Sequence, residues 1–303
     1  MIIINIKLYL KLLNDIFRGI DNSFSTIIYL LFPKDDFLCK FKYLGNIVLN
    51  KNDRKAGVIG FLIDICQRDI NLNQKKELNN ILSQRNEKII TMLNGVKMIN
   101  LELSLICETF VLEEFDVDIG GGGENETVID IGANRGDTAL FFANKNYNVI
   151  AFEPVGKLYE TAINNLDLNP HIKDRIHLVQ KAVSCEKGKI KLYFNGDLDL
   201  VSGEVSQYIK GKNTEIVETT TIKDILIEYN LKPYILKMDC EGCEYDIILK
   251  SDLSMFKYIY FEYHENLKNL KHEILIEKLE KQGFELFFKE ELFNVGIVKM
   301  IKK

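Results

Sequence analysis

The twelve residues Thr127-Val-Ile-Asp-Ile-Gly-Ala-Asn-Arg-Gly-Asp-Thr138 limit this chain more than any other stretch. Val128 to Ile131 is a short β-branched apolar run, the pattern of a buried strand. Gly132, Asn134 and Gly136 then form a tight turn, with glycines where backbone must approach closely. Asp137-Thr138 open a helix through Ala143 and place an acid at the positive end of its dipole. Strand, glycine turn and helix make half of a nucleotide-binding crossover.

The acids decide which nucleotide fits. A dinucleotide fingerprint reads G-x-G-x-x-G, with pyrophosphate on the helix N-terminus. Here Asn134 replaces the middle glycine, and Asp130 and Asp137 would repel a pyrophosphate. They suit a ligand with an amino group and a sulfonium, S-adenosylmethionine. Val149-Ile-Ala-Phe-Glu-Pro154 reads as a second buried strand, with Glu153 placed 17 residues after Gly136. A carboxylate there accepts bonds from ribose hydroxyls and fits either NAD or S-adenosylmethionine.

From Thr127 onward strand and helix patterns alternate. Strands are expected at Ile176–Ser184, Tyr234–Asp239 and Tyr258–Glu262, and a terminal strand pair around Asn294. That order predicts an α/β fold, a doubly wound, mainly parallel sheet with a C-terminal antiparallel pair. Ligands in such sheets bind at the C-terminal strand ends. Asp130, Glu153, Ala182, Asp239 and His264 all fall at or near such ends, which makes them one candidate site.

Residues 1 to about 95 read as a mostly helical accessory region and 96–303 as the catalytic domain. Helices are expected over 9–20, 25–32 and 58–66, and from an Asn73 cap to Gly95. Tyr9, Leu13, Ile16, Phe17 and Ile20 share one helical face. It reads as a packing face, with membrane-surface contact the alternative. The longest uncharged run near the start, Asn22–Pro33, has 12 residues, too few to span a bilayer. Net charge is −5 with no basic block, so nothing points to nucleic acid. The six cysteines have no disulfide-framework spacing, which suggests a reducing, cytoplasmic setting. Cys240-x-x-Cys243 lacks the second ligand pair of a zinc site and reads as packing.

Asp130-Ile-Gly-Ala-Asn-Arg-Gly136, Glu153-Pro154, Leu236-Lys-Met-Asp-Cys-Glu-Gly-Cys-Glu244 and Phe261-Glu-Tyr-His264 together resemble the FkbM family of S-adenosylmethionine-dependent methyltransferases. The likeness covers roughly residues 100 to 303. It implies a class I methyltransferase fold, Rossmann-like, with a seven-stranded sheet. It also implies O-methylation of a hydroxyl on a sugar, glycan or secondary metabolite. By motif, Asp130, Gly132, Asn134 and Gly136 would line the methionine part of the cofactor, Glu153 would hold the ribose, and Ala182 would lie near the adenine. Cys240 and Cys243 depart from the small apolar residues the family usually has there.

A hydroxyl is a poor nucleophile, so a base or a metal should assist. Asp239 is the first candidate base. With Glu262 or Glu241 it is also a candidate ligand set for a divalent ion such as magnesium. His264 is the second candidate base. The rival readings are an NAD-dependent oxidoreductase on a related sheet and a non-catalytic binding module.

Overall fold

A buried strand must be covered on both faces, and the chain meets that demand with one large sheet. In the computed structural model, residues 20–21, 37–41, 45–49, 62, 65, 68, 70–100, 103–116, 126–195, 205–231, 233–292 and 294–303 are described. The central strands are β5 (Thr127–Ile131), β6 (Asn148–Phe152), β7 (Ile176–Val179), β11 (Pro233–Met238) and β12 (Tyr258–His264). They run parallel, and an antiparallel pair, β13 (Phe284–Leu292) and β14 (Val295–Lys302), completes a seven-stranded sheet. Its order is β13-β14-β12-β11-β5-β6-β7, so chain direction across the sheet reverses between β5 and β11. This is the expected doubly wound α/β sheet of a Rossmann-like class I fold, with its terminal pair. β5 is buried along its whole length, as its β-branched run requires.

The helices between these strands are α3 (Asp137–Asn144), α4 (Gly156–Asp167), α5 (Ile222–Glu228), α6 (Cys243–Lys250), the short α7 (Glu265–Lys268) and α8 (Glu273–Lys281). The core joins Ile129, Leu236, Met238 and Ile259 of the sheet to Tyr245, Ile248 and Leu275 of the helices. A smaller sheet lies after β7: β8 (Ala182–Val183), β9 (Gly188–Phe194) and β10 (Asn213–Thr220), in the order β8-β10-β9. The strand expected over 176–184 thus breaks at Gln180-Lys181, and its second half joins this smaller sheet. β10 also takes Asn213, Thr214 and Glu215 from the end of 198–215, a polar stretch that reads as a loop in the sequence.

The chain divides into two units, Met1–Glu87 with Glu102–Leu112, and Lys88–Leu101 with Glu113–Lys303. The first contains the hairpin β1 (Phe37–Phe41) and β2 (Gly45–Leu49), then α1 (Leu72–Ser83) and α2 (Leu103–Cys107), which runs on into a π-helical turn, Glu108–Leu112. A capping box starts α1. Asn71 Oδ1 accepts from Asn73 N–H (2.9 Å) and Gln74 N–H (3.0 Å), and Gln74 Oε1 accepts from Asn71 N–H (2.9 Å). The cap is therefore Asn71 rather than Asn73. The helix also stops at Ser83 instead of continuing to Gly95. The second unit begins with the hairpin β3 (Ile89–Thr91) and β4 (Lys97–Ile99) around Asn94-Gly95, where Gly95 takes φ +90°. An Asn-Gly pair favours such a turn over helix. The helices expected over 9–20 (apart from Ile20) and 25–32 lie outside the described residues, as do 120–123, four consecutive glycines that read in the sequence as a flexible link. Of 58–66 only Leu62 and Ile65 are described, both helical.

Strand β13 forms one edge of the large sheet. A register shift between Leu286 and Phe288 leaves Phe287 opposite no partner, and Phe287 is 60% exposed.

Candidate active site

The site is built where β5, β6 and β11 end. Gly132 leaves β5 at φ +78°, and a Cβ there would sit 1.8 Å from the Asp239 carbonyl oxygen. Only glycine permits these two strand ends to pack so closely. Asn134 follows at φ +48° and Gly136, the N-cap of α3, at +81°. Asn and Gly are the residues that enter this left-handed region at least strain.

Glu153, at the end of β6, holds that loop in place. Its Oε2 accepts from Asn134 N–H at 2.8 Å and its Oε1 from Val155 N–H at 2.9 Å. The carboxyl is buried. Burial pushes its pKa up to about 8, against the opposing pull of those two amides and of the Lys237 charge. Asp130, fully buried, works from below. Its Oδ1 pairs with Lys237 Nζ at 3.0 Å, and its Oδ2 accepts from Thr138 Oγ1 at 2.6 Å. Lys237 also donates to the Gly132 carbonyl at 2.8 Å. Nearby carboxylates, Asp130 first, raise the pKa of Lys237 above its ordinary value although burial opposes them. The lysine is charged and ties β11 to the turn after β5.

Above this floor lies a cavity of about 130 Å³. Gly132, Asn134 and Glu153 line one side, Asp239 and Glu241 another, and Ala182, Val183, Ile190 and Leu192 an apolar wall. Asn134 Oδ1 is buried with no hydrogen-bond partner among the described residues. A buried acceptor left this way calls for a donor from a ligand or water. Asp130, Gly136, Glu262 and His264 do not line the cavity.

Asp239 follows β11, and the parallel register that pairs Met238 with Phe261 sets Glu262 of β12 beside it. The two carboxyls are hydrogen-bonded. Burial and the charges of Asp239 and Glu241 push the Glu262 pKa well up. A proton between two carboxylates relieves a repulsion that neither can escape. Glu241 Oε2 lies 3.3 Å from His264 Nε2. All four candidate catalytic side chains thus belong to one cluster at the strand ends. Among the described residues, groups of three metal-ligating side chains occur at Cys240, Cys243, Glu244 and at Glu265, His272, Glu273; neither contains Asp239 or Glu262.

Two features went unread in the sequence, and a third falls within 198–215, a polar stretch that reads there only as a candidate substrate loop. Lys237 is a cation inside an apolar strand, Tyr234-Ile-Leu-Lys-Met238, a signal that it must have a buried partner. Ser206, Gln207 and Tyr208 join the cavity wall, with Ser206 Oγ donating to the Glu241 carbonyl at 2.6 Å. Cys240 and Cys243 are not merely packed. A disulfide joins them, while Cys107 and Cys185 are free thiols.

A profile of the methyltransferase FkbM domain matches residues 130–286, just over half of the chain. Similar solved structures include the methyltransferase FkbM from Methylobacillus flagellatus KT, 14% identical with a TM-score of 0.43 over 82% of this chain and 60% of that one. A precorrin-6y C5,15-methyltransferase from Geobacter metallireducens GS-15 is 15% identical, with a TM-score of 0.38 over 67% of this chain and 89% of that one. Aeropyrum pernix fibrillarin in complex with natively bound S-adenosyl-L-methionine is 9% identical, with a TM-score of 0.36 over 63% and 72%. The chain spans 60% of the length of the Methylobacillus protein. No curated protein matches it. Among the described residues no helix is long and apolar enough to cross a membrane.

Proposed function

The chain belongs to the FkbM methyltransferase family, and on that premise we propose that it transfers a methyl group from S-adenosylmethionine to a hydroxyl of a small metabolite or glycan. The observation that carries this reading is the cavity, with a glycine turn and a buried acid on one side and a carboxyl cluster on the other. S-adenosylmethionine supplies an electrophilic methyl on a sulfonium.

The residues present fit that group. Glu153 keeps lone pairs beyond the two amide bonds, and these can accept ribose hydroxyls. Asn134 Oδ1, the buried acceptor without a partner, is available to a donor of the methionine part. The wall of Ala182, Val183, Ile190 and Leu192 suits an apolar heterocycle such as adenine. Asp130 and Gly136 act from beneath, by shaping the loop. Residues 1–95 are read as accessory to this domain.

For the acceptor, Asp239 is the base. Glu262 retains the proton of the pair, and Asp239 is the member of the pair that lies on the cavity surface, within reach of an acceptor hydroxyl. Glu241 and His264 form a neighbouring acid–imidazole pair that can hold or pass on a proton. This arrangement needs no divalent ion. If Asp239 instead holds one, chelation abolishes turnover and added magnesium restores it.

The test is mass spectrometry of the protein incubated with an extract of its own cells and S-adenosylmethionine bearing a deuterated methyl group. A product heavier by the labelled methyl is expected, with no dependence on NAD. At 100 times its dissociation constant the cofactor should stabilise the fold by about 2.7 kcal/mol. A melting temperature raised by NAD and not by S-adenosylmethionine or its demethylated product would overturn the reading.

A further inference from the structure

The Cys240–Cys243 disulfide spans the turn that carries Glu241. Glu241 and Gly242 both have positive φ, 54° and 100°. Two left-handed residues in succession reverse the chain and bring the cysteine Cα atoms to 5.5 Å, within the span of a disulfide. Both cysteines line the cavity, and neither is fully buried. A small thiol therefore has a route to the bond.

A third group completes the cluster. Glu244 Oε2 lies 3.6 Å from Cys240 Sγ and accepts from Gly242 N–H at 3.0 Å. Its carboxyl is fully buried. Burial pushes its pKa up to about 8, while backbone amide donors pull it down. Near neutrality the side chain thus holds a proton beside the sulfur. Cys240, Cys243 and Glu244 also come within metal-ligating distance of one another. A protonated acid and two mutually bonded sulfurs are poor ligands, so the geometry favours exchange over metal binding.

We propose that Cys240–Cys243 is a thiol–disulfide exchange site for a small thiol of the glutathione class, with Glu244 as its proton donor, and that its redox state sets the turn that carries Glu241. The exchange stands by itself; its effect on the cofactor cavity rests on the methyltransferase reading above.

The step runs as follows. A thiolate RS⁻ attacks Cys243 Sγ, the Sγ–Sγ bond breaks, and its electron pair goes to Cys240 Sγ, which takes the proton of Glu244. A second thiolate attacks the RS sulfur of the mixed disulfide. RS–SR leaves, and Cys243 departs as a thiolate that solvent protonates. Two small thiols are oxidised to one disulfide as the protein's disulfide is reduced to two thiols. Oxidised glutathione drives the reverse. On reduction the two sulfurs separate to non-bonded contact. The turn between them is tied to Ser206 through the Glu241 carbonyl and reaches His264 through the Glu241 carboxylate, so it moves with them. Asp239, whose carbonyl packs on Gly132, adjoins it.

The full chain is equilibrated at set ratios of glutathione to glutathione disulfide, acid-quenched, alkylated and mapped by mass spectrometry. Binding of S-adenosylhomocysteine is measured on the same samples by calorimetry. Cys240 and Cys243 should convert together, and reduction should weaken binding about fivefold or more, the lower range of coupling between sites. Binding by the Cys240→Ser/Cys243→Ser protein should not respond to the ratio. Rapid quenching of the wild type with glutathione should trap the adduct on Cys243. Glu244→Gln should slow reduction about tenfold or more; should that variant not fold, the position of the adduct still tests which sulfur leaves. Thiols at every ratio, an adduct on Cys240, or interconversion that leaves binding unchanged would each overturn the proposal. Interconversion with no S-adenosylhomocysteine binding in either state would uphold the exchange site and overturn the cofactor reading.

Discussion

Binding of a nucleoside to this protein should tighten as the pH rises from 6 to 9, and the reason is Glu153. In the free protein burial holds its carboxyl at about 8 instead of 4.5. The sign follows directly. A carboxyl raised on folding brings no penalty below the unfolded value, and a growing one as it ionises towards the folded value. At about 1.36 kcal/mol per pH unit, the ionised group carries a penalty of roughly 4–5 kcal/mol as an upper bound. Ribose hydroxyls donate to the ionised form and relieve part of that penalty, so the ligand selects the ionised protein. With a free pKa of about 8 and a ligand that binds only the ionised form, the ionised fraction limits affinity, and binding strengthens roughly ninetyfold between pH 6 and 9. At pH 7 about 0.9 proton should be released per ligand bound. 5′-Methylthioadenosine is the right probe, because the α-amino group of S-adenosylmethionine itself titrates in this window. Calorimetry in phosphate and in Tris separates the proton from the intrinsic heat. Glu153→Ala should bind weakly, each lost bond to the acid being worth about 1.5–3 kcal/mol, and with no pH slope. An affinity flat from pH 6 to 9, with equal heats in both buffers, would refute the argument.

Three further outcomes follow from the same geometry. Asp239→Asn should lower turnover by about 10²–10⁴ and alter the pH–rate profile; near-wild-type rates with an unaltered profile would remove Asp239 from the chemistry. Lys237→Met leaves Asp130 buried without its cation and should destabilise the fold by about 3–5 kcal/mol in urea titrations. Adding Asp130→Asn should recover much of that loss, and an additive double variant would deny the coupling. Gly132→Ala meets both a left-handed backbone, a penalty of about 1–3 kcal/mol, and the Asp239 carbonyl 1.8 Å away. It should leave little folded protein, as read by circular dichroism.

The sheet was legible because its strands are β-branched runs closed by glycine or acid, and buried parallel strands have to look that way. The strand-end acids were legible for the same reason, since polar residues that end apolar runs stand out. What escaped depends on backbone geometry that has no sequence mark. Glu153 reads as a ribose ligand, yet its two bonds are to backbone amides of Asn134 and Val155. Asp130 reads as a cofactor contact and instead sits under the loop on Lys237. The cysteine pair reads as packing because nothing in Cys-Glu-Gly-Cys announces a non-glycine residue at φ +54°. The helix expected to run on to Gly95 ends at Ser83, because the chain beyond it pairs as a hairpin around Asn94-Gly95, where a local turn outweighs apolar periodicity.

The bulged edge of β13 also bears on how the molecule behaves in a crowd. An outer strand with Leu286, Phe287 and Phe288 all at least 41% exposed would ordinarily invite another chain to add a strand and start a fibril. Here Phe287 is the extra residue that breaks the hydrogen-bonding rhythm. After Phe288 come Lys289, Glu290 and Glu291, one positive and two negative side chains in succession. An incoming strand would lose register at the bulge and then meet a row of charges. Bulge and charges together oppose strand addition at the aromatic edge, and straightening it by deleting Phe287 should increase aggregation, as read by light scattering.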